Sequence, residues 1–187
     1  FLKNRINLTA SWYRNRSSNQ LVGFQLPLVT GFSSVQANLN ATIENSGWEF
    51  ELSSHIIKCS DWNWNTGFNI SFPKNKLISF PGLEGSPYAT MYSVGQPTTI
   101  LKLLEYQGID PVTGQYRFKD ANNDGKISIL DDAQTVENIG VKFFGGWQHE
   151  VKYKNLSFSF LLQFVKQRQT NYYRDMNIPG TLSNQPA

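Results

Sequence analysis

The chain has 187 residues, which corresponds to one domain or to a piece of one. Its 17 Lys and Arg against 14 Asp and Glu give a net charge of +3, and the charged fraction of 17% is low, so composition does not favour nucleic-acid binding. Aromatic residues reach 14% although the mean hydropathy is −0.39, which is typical of strands with one apolar and one polar face. No apolar run is long enough for a membrane-spanning helix, whereas membrane-spanning strands are not excluded.

Cys59 is the single cysteine, which excludes an internal disulfide and any zinc or iron–sulfur site built from several cysteines. We interpret it as a small buried or turn residue. The chain opens at Phe1 without a Met or a targeting segment, and we expect it to be an internal fragment of a longer protein.

Three segments in the first half alternate apolar and polar residues with a period of two, the pattern of half-exposed strands. The first runs from Arg5 to Tyr13 and the second from Gly47 to Ile57, and the third follows a short turn at 58–61. The second and third are predicted to form a hairpin. Their apolar positions are Ile6, Leu8, Ala10 and Trp12, then Trp48, Phe50, Leu52 and Ile56, then Trp62, Trp64, Phe68, Ile70 and Phe72.

Two further strands are predicted near the end of the chain, from Gly145 to Tyr153 and from Leu156 to Phe164. The dipeptide Lys154-Asn155 between them predicts a two-residue turn. His149 falls on the apolar face of the fourth strand and is a departure from the pattern.

The connections between these strands differ greatly in length. Residues 14–46 and 73–142 are rich in Gly, Pro, Asn and Ser and are predicted to be long loops. Because consecutive antiparallel strands alternate in direction, both long loops lie at one end of the sheet and both short turns at the other. Outer-membrane barrels have this arrangement. We therefore expect an all-β fold, an antiparallel transmembrane β-barrel segment of about five strands, with the remaining strands supplied from elsewhere since five cannot close a barrel.

Short blocks of sequence occur in a specific order along nearly the whole chain. They are residues 2–13, Leu26-Pro27 with Gly31, residues 45–52, Gly108-Ile109-Asp110-Pro111 with Thr113-Gly114, Gly145-Gly146, and the hairpin at 153–157. In this order they resemble the SusC/RagA family of TonB-dependent outer-membrane transporters.

The resemblance implies a position in the C-terminal part of a 22-stranded barrel, with the plug domain and the TonB box outside this chain. It implies transport and no enzymatic activity: import of oligosaccharides or peptides across the bacterial outer membrane. The implied partners are a SusD-like surface lipoprotein that caps the extracellular loops, and TonB, which acts through the missing N-terminal part.

Residues 120–131 match the spacing of a calcium loop, in which oxygen ligands come from positions 1, 3, 5, 7, 9 and 12 and Gly occupies position 6. Gly125 stands at this sixth position. The final Asp is shorter than the usual Glu, which leaves Asp132 as an alternative ligand. We predict a structural Ca²⁺; the alternative is an Asp/Asn/Gly turn without metal. The predicted ligands are Asp120, Asn122, Asp124, the carbonyl of Lys126, Ser128 or a water in its place, and Asp131.

No catalytic residue is predicted, because His55 and His149 lie in different strands and no serine stands in a Gly-x-Ser-x-Gly elbow. No substrate-binding residue is assigned. Polar strand residues either line a solute path or hydrate the barrel interior, and loop aromatics either stack on sugars or pack the loops. The polar set is Glu49, Glu51, Asn63, Asn65 and Asn69, and the aromatic set is Phe24, Phe32, Tyr88, Tyr92 and Tyr106.

The alternative from another class is a soluble, calcium-stabilised carbohydrate-binding β-sandwich, in which the apolar strand faces pack on one another. Dependence on detergent separates the two hypotheses, since an uncovered aromatic face aggregates in water. A hydrolase is less favoured, because the sequence offers no pair of converging carboxylates.

Overall fold

The computed structural model describes residues 5–25 and 34–170, with the side chains of these residues apart from 20–25, 34–37 and 39. This part of the chain is almost entirely β and contains one short helix, α1 (Ile129–Asp132). No helix within it has the length and apolar composition needed to cross a membrane. The strands are β1 (Ile6–Gln25), β2 (Ser34–Lys58), β3 (Trp62–Ser79), β4 (Ile100–Leu103), β5 (Tyr106–Ile109), β6 (Tyr116–Phe118), β7 (Thr135–Asn138), β8 (Val141–Tyr153) and β9 (Leu156–Gln167).

Five of these strands form one antiparallel sheet in the spatial order β1-β2-β3-β8-β9. The predicted hairpin of the second and third strands is present, with Cys59 exposed in its turn. The turn at Lys154-Asn155 is also present, because Tyr153 pairs with Leu156. The prediction of an all-β antiparallel fold is therefore confirmed. Within the described residues β1 and β9 each pair on one side only.

The strands extend further than the alternation predicts. Residues 14–46 were predicted to be a long loop, but β1 continues to Gln25 and β2 begins at Ser34. The second long connection is confined to residues 80–140, because β3 continues to Ser79 and β8 begins at Val141. The extensions are largely polar, so backbone hydrogen bonds to the adjacent strand hold them and no apolar period marks them in the sequence.

A bulge changes which side chains share a face of β2. The register shifts between His55 and Ile57, which places Ile57 opposite Trp64. The alternation had assigned Ile56 to the apolar face. A bulge inserts one extra residue into one strand of an antiparallel pair and leaves it out of the ladder. Ile56 is that residue here, and a strict two-residue period cannot reveal it.

The connection between β3 and β8 is itself folded and is anchored on the end of β3. The backbone N–H of Leu77 donates to the carbonyl of Gln96, and the N–H of Gly95 donates to the carbonyl of Leu77, both at 2.8 Å. Beyond this anchor β4 pairs with β7, and β5 pairs with β6. A buried cluster closes the base of the connection and consists of Ala41, Leu77, Phe80 and Leu83, with Ile43, Tyr88 and Tyr92 packed against it.

The apolar face of the large sheet is uncovered in the described part of the chain. Leu156 is 74% exposed, Phe158 is 65% exposed and Leu8 is 60% exposed. The buried apolar residues of the described chain all lie at the base of the connection or within it. An apolar surface of this extent marks an interaction surface in a natural protein. The packing expected of a β-sandwich is therefore absent from these residues.

Candidate functional site

The polar face of the large sheet brings carboxylates and small polar side chains from three strands together. Glu49 and Glu51 lie on this face, as the alternation predicts, and each stands between partners on both neighbouring strands. The paired residues form two rows across the three strands, Thr9–Glu51–Asn69 and Ser11–Glu49–Ser71. Residues of both rows line a cavity of about 220 Å³.

A chain of polar contacts crosses the same face nearer the short turns. The Nδ1 atom of His55 is hydrogen-bonded to Asn65 Oδ1, and Asn65 Nδ2 donates to Glu150 Oε2 at 3.4 Å. Lys152 Nζ lies 3.1 Å from Glu150 Oε1. Because an amide oxygen only accepts, His55 Nδ1 carries the proton in its hydrogen bond. His55 therefore belongs to a polar network, and it lies on the opposite face from His149.

Two aromatic rows cross the apolar face at different heights. Near the short turns, Trp62 and Tyr153 form the lower aromatic row, with ring centroids 4.5 Å apart. Trp12, Trp48 and Phe72 are paired on three adjacent strands and form the upper aromatic row. Trp62 and Phe72 are ten residues apart on β3, which is about 33 Å along a strand. The interval is filled mainly by apolar side chains, among them Leu8, Leu52, Phe68, Ile70, Trp147, Phe160 and Leu162.

His149 lies on the apolar face, as predicted, and is only 7% exposed. The rings of Trp147 and Phe160 flank it, with centroid distances of 4.7 and 4.8 Å. Trp64 Nε1 donates to His149 Nδ1 at 3.3 Å. A ring nitrogen that accepts carries no proton, so His149 is the neutral tautomer with its hydrogen on Nε2. The surrounding rings explain how an apolar face accommodates this side chain.

Beyond the upper aromatic row the same face becomes basic. Glu44 Oε2 accepts hydrogen bonds from Arg14 Nε at 2.8 Å and from Arg16 Nε at 2.6 Å. Sequence reasoning missed this surface because its residues lie in segments predicted to be loops. The available signal was that Arg14 and Arg16 continue the two-residue spacing of Trp12. We call two successive sets of paired residues the basic rows: Arg14–Ser46–Lys74 and Arg16–Glu44–Lys76.

The first half of the predicted calcium loop is a tight turn held by side chains. Asp120 Oδ2 accepts from the N–H of Gly125 at 2.8 Å. The N–H of Asp124 is shared between Asp120 Oδ1 at 3.2 Å and Asn122 Oδ1 at 3.1 Å. Gly125 has a φ of 78°, in the left-handed region that favours glycine. The side chains of the first three predicted ligands are therefore gathered around one turn.

The second half of this loop is held separately. Ser128 Oγ donates to Asp131 Oδ2 at 2.9 Å and accepts from the N–H of Asp131 at 3.1 Å. Asp132 is buried and accepts from the N–H of Ser128 and of Ala121, both at 2.7 Å, and these hydrogen bonds hold the pKa of Asp132 below its ordinary value. Among the described residues no three His, Cys, Asp or Glu side chains converge as a metal-binding group. Asp131 is thus not gathered with the first three predicted ligands.

The loop aromatics pack against one another. Tyr88 lies between Phe80 and Tyr92, with centroid distances of 6.0 and 6.1 Å. Tyr106 packs edge-on against Tyr116 at 5.8 Å. Of the two interpretations left open by the sequence, these contacts are those of loop packing. Phe32 and the side chain of Phe24 lie outside the described residues.

No protein-family profile matches the chain. It is similar to a TonB-dependent receptor of Formosa agariphila, with 28% identity over 183 residues that cover 85% of this chain and 18% of that protein. It is also similar to the TonB-dependent receptor SusC of Bacteroides thetaiotaomicron, with 25% identity over 87% of this chain and 18% of that protein. The chain therefore spans about a fifth of the length of the curated relatives it matches.

Solved structures show the same fold. The RagAB peptide transporter matches with a TM-score of 0.68 and 21% identity, over 88% of this chain and 20% of that chain. The RagAB peptide importer in its open-open state matches with a TM-score of 0.66 over 88% of this chain and 19% of that chain. The predicted resemblance is thereby confirmed, and the chain is recognised as a segment similar to TonB-dependent transporters of the SusC/RagA family.

Proposed function

We propose that the chain forms part of the barrel wall of a SusC-like TonB-dependent transporter in the bacterial outer membrane. The observation that carries this proposal is the uncovered apolar face, which is bounded by two aromatic rows and backed by a polar face. A wall between lipid and a water-filled interior requires such alternation. Similarity to proteins named as receptors and transporters also supports a role without catalysis.

The spacing of the aromatic rows supports placement in a bilayer. A tilt of about 40° reduces the strand length of about 33 Å between the rows to about 25 Å along the membrane normal, which is the height of the apolar band of outer-membrane barrels. Trp and Tyr rings favour the interfaces at the two edges of such a band. His149 lies within the band as a neutral ring among other rings, which avoids the cost of a charge in hydrocarbon.

The ends of the strands define the orientation in this proposal. The connections that follow β1 and β3 leave the sheet beyond the upper aromatic row, and both short turns lie near the lower row. Outer-membrane barrels place long loops outside the cell and short turns in the periplasm. Residues 1–187 then form one partial barrel domain, with its extracellular loops inside 14–46 and 73–142.

Similarity to the relatives supports the choice of solute and partners in this proposal. RagAB is described as a peptide transporter, and peptides or oligosaccharides are the solutes we propose for the parent transporter. A SusD-like surface lipoprotein would contact the folded connection 80–140 from outside. TonB would act through a part of the parent protein that this chain does not contain. The polar rows at Glu49 and Glu51 would face the interior through which the solute passes.

Strand β9 offers a test, because its successive residues face opposite sides of the wall. In the full-length receptor with Cys59→Ser, we would compare Ser159→Cys with Phe160→Cys in intact outer membranes. A water-soluble maleimide is expected to label the cysteine at position 159, on the polar face, and to leave the cysteine at position 160 shielded by lipid. Mass spectrometry of the labelled protein measures both fractions.

Detergent extraction provides the control for this labelling. The cysteine at position 160 is expected to become reactive after solubilisation and denaturation, which shows that lipid had covered it. Equal labelling of both positions in intact membranes would overturn the proposal. A receptor that stays monomeric in water without detergent would instead favour the β-sandwich alternative.

We also propose that residues 120–131 bind a structural Ca²⁺, which would cross-link the turn and stiffen the larger loop. The oxygen-rich spacing and the turn that gathers three side chains support this assignment. The first half of the site would supply most of the ligands, and the second half would need to move toward it. The full set would be Asp120, Asn122, Asp124, the carbonyl of Lys126, Ser128 and Asp131.

Limited proteolysis of the loop with and without a chelator tests the calcium proposal. The double variant Asp120→Ala with Asp124→Ala is expected to abolish protection by Ca²⁺, because it removes two direct ligands. Asp110→Ala is the matched control, since it removes another turn-forming aspartate in the same connection. Protection that is the same with and without chelator in the unmodified protein would contradict a bound ion.

A further inference from the structure

The basic rows lie on the same face of the sheet as the two aromatic rows. No register shift separates the upper aromatic row from Arg14 and Arg16 on β1, or from Lys74 and Lys76 on β3. Side chains two residues apart in a strand share a face, so these four cations continue the apolar face. They stand about 7 and 13 Å further along the strands than the aromatic row.

The cations of this surface outnumber its carboxylates. Glu44 is the one carboxylate in the two rows, and both arginines are paired with it. Neither Lys74 nor Lys76 forms an ion pair within the part of the chain that the structure describes. Lys166 of β9 extends the positive charge across the sheet, with its Nζ 5.9 Å from the ring centroid of Phe143. The surface therefore has an excess of positive charge that no described side chain balances.

A cavity of about 730 Å³ lies where this end of the sheet meets the connection, but it does not belong to the same surface. Its lining includes Tyr13, Asn45 and Asn75, which alternate with the basic rows along their strands and therefore share the polar face. Asn75 Oδ1 accepts from the N–H of Thr98 at 2.8 Å, which places the connection on that face. The basic rows are left open on the other face, where their ammonium and guanidinium groups would supply the opposite charge to phosphate.

We propose that the basic rows bind phosphate groups of glycolipids at the external surface of the outer membrane. This inference rests on the proposed function, because it needs the aromatic rows to mark the edges of the hydrocarbon. Cations one or two rows beyond the upper aromatic row then lie at the depth of the lipid headgroups. The favoured occupant is a lipid rather than a transported solute, because these side chains continue the outward apolar face.

The test uses the full-length receptor in phosphatidylcholine nanodiscs, with lipid binding measured by native mass spectrometry. The probes are diphosphoryl lipid A and the same lipid after removal of its phosphates. The unmodified receptor is expected to bind the phosphorylated form preferentially. The double variant Lys74→Gln with Lys76→Gln is expected to bind the phosphorylated form about tenfold or more weakly. Each cation near an anionic membrane surface strengthens binding by about fivefold, and this variant removes two of them. Glu44→Gln is expected to strengthen binding.

The matched control is Lys58→Gln with Lys154→Gln, which removes the same charge at the turn end and is expected to leave binding unchanged. Equal binding of the two lipid forms, or an equal loss in the control variant, would overturn the inference. Displacement of the lipid by inorganic phosphate alone would show a simple anion site and would also overturn it. If the labelling of β9 shows no lipid-covered face, the proposed function fails as well; if that labelling holds, only the present inference fails.

Discussion

The five-stranded sheet and the connection 80–140 are held together in opposite ways. The sheet is joined by continuous ladders between residues distant in the sequence, such as Trp12 with Trp48, and its apolar face remains uncovered. The connection combines contacts within a few residues, as where Asp120 accepts from the N–H of Gly125, with a small buried core that it shares with Ala41 and Leu77 of the sheet. Within the described residues, apolar burial is therefore concentrated where the connection meets the sheet, whereas the broad apolar face of the sheet is open.

This contrast suggests which changes each region tolerates. A charge introduced on the uncovered face of the sheet has no side chain to pair with and no water to solvate it once lipid covers that face. A change in one of the turns of the connection affects that turn alone, because turns such as the one at Asp110 are held by hydrogen bonds between near neighbours in the sequence. Effects of substitutions should accordingly be largest on the apolar face and smallest in the turns.

The largest effect is expected for Phe160→Arg. Phe160 pairs with His149 near the middle of the apolar band, so the arginine would be placed in hydrocarbon at a cost of about 2–4 kcal/mol in the free energy of unfolding. Urea-induced unfolding of the full-length receptor in lipid vesicles, followed by tryptophan fluorescence, measures the change.

Ser159→Arg is the control for this substitution, since Ser159 is next to Phe160 in the strand and lies on the opposite, polar face of the sheet. Its effect on the free energy of unfolding is expected to be small. A similar loss in both variants would show that the two faces do not differ in environment. The comparison between an open apolar sheet face and a connection with a buried core would then fail.

An intermediate effect is expected for Gly145→Ala. A methyl group at this position would collide with the backbone oxygen of Asn69 and would lie 2.7 Å from Phe164 Cζ. Because a backbone atom is in the way, strands β3 and β8 must separate locally, and overpacking of this kind costs about 1–3 kcal/mol. The same unfolding measurement applies.

Gly67→Ala is the matched control on the adjacent strand. No heavy atom lies within 4 Å of a methyl group placed there, and the residue has no positive φ. The substitution is expected to be neutral, or to stabilise the protein by up to about 1 kcal/mol through the unfolded chain. A greater loss at Gly67 than at Gly145 would contradict the close strand contact.

The smallest effect is expected at the turn between β5 and β6. The N–H groups of Thr113 and Val112 hold the pKa of Asp110 below its ordinary value. Because the pKa of Asp110 is lower in the folded state, its ionised carboxylate stabilises the turn at pH values above about 3.9, the pKa in the unfolded chain. This contribution is lost as the pH falls through the lower folded pKa. Amide hydrogen exchange at Val112 and Thr113, corrected for intrinsic rates, should lose protection over that range.

Asp110→Asn is expected to remove this pH dependence, because an amide oxygen still accepts hydrogen bonds but does not titrate in this range. If the Asp110→Asn variant lost amide protection at the same pH as the unmodified protein, a titrating group other than Asp110 would control the turn. Either result leaves the sheet unaffected, since the turn belongs to the connection.

Much of the sheet was predictable from the sequence. Arg5 to Tyr13 alternates strictly, and Lys154-Asn155 is a recognisable turn, so the strand positions and most of their faces followed from a two-residue period and from turn residues. The extensions to Gln25 and from Ser34 were not predicted, because polar strands are held by backbone hydrogen bonds that leave no apolar period. The bulge at Ile56 was not predicted for a related reason, since it depends on the partner strand.

The candidate sites divide in the same way. The spacing of Asp120, Asn122 and Asp124 predicted a turn with gathered oxygens, and the structure contains that turn. Calcium binding itself stays a prediction. The basic rows were not predicted. Arg14 and Lys74 are sixty residues apart in the sequence, and only the strand register places them in one row, on either side of β2.

The amino-acid sequence by itself determined that this chain alternates rings and polar groups, turns tightly at two places and gathers oxygens after Asp120. These features depend on side-chain period and on backbone preferences within a few residues. Only the tertiary structure decided how far the strands run, which rings enclose His149 and which arginines and lysines of separate strands share one face. Those outcomes depend on strand register, which is set by hydrogen bonds between distant segments and is not written in any local pattern.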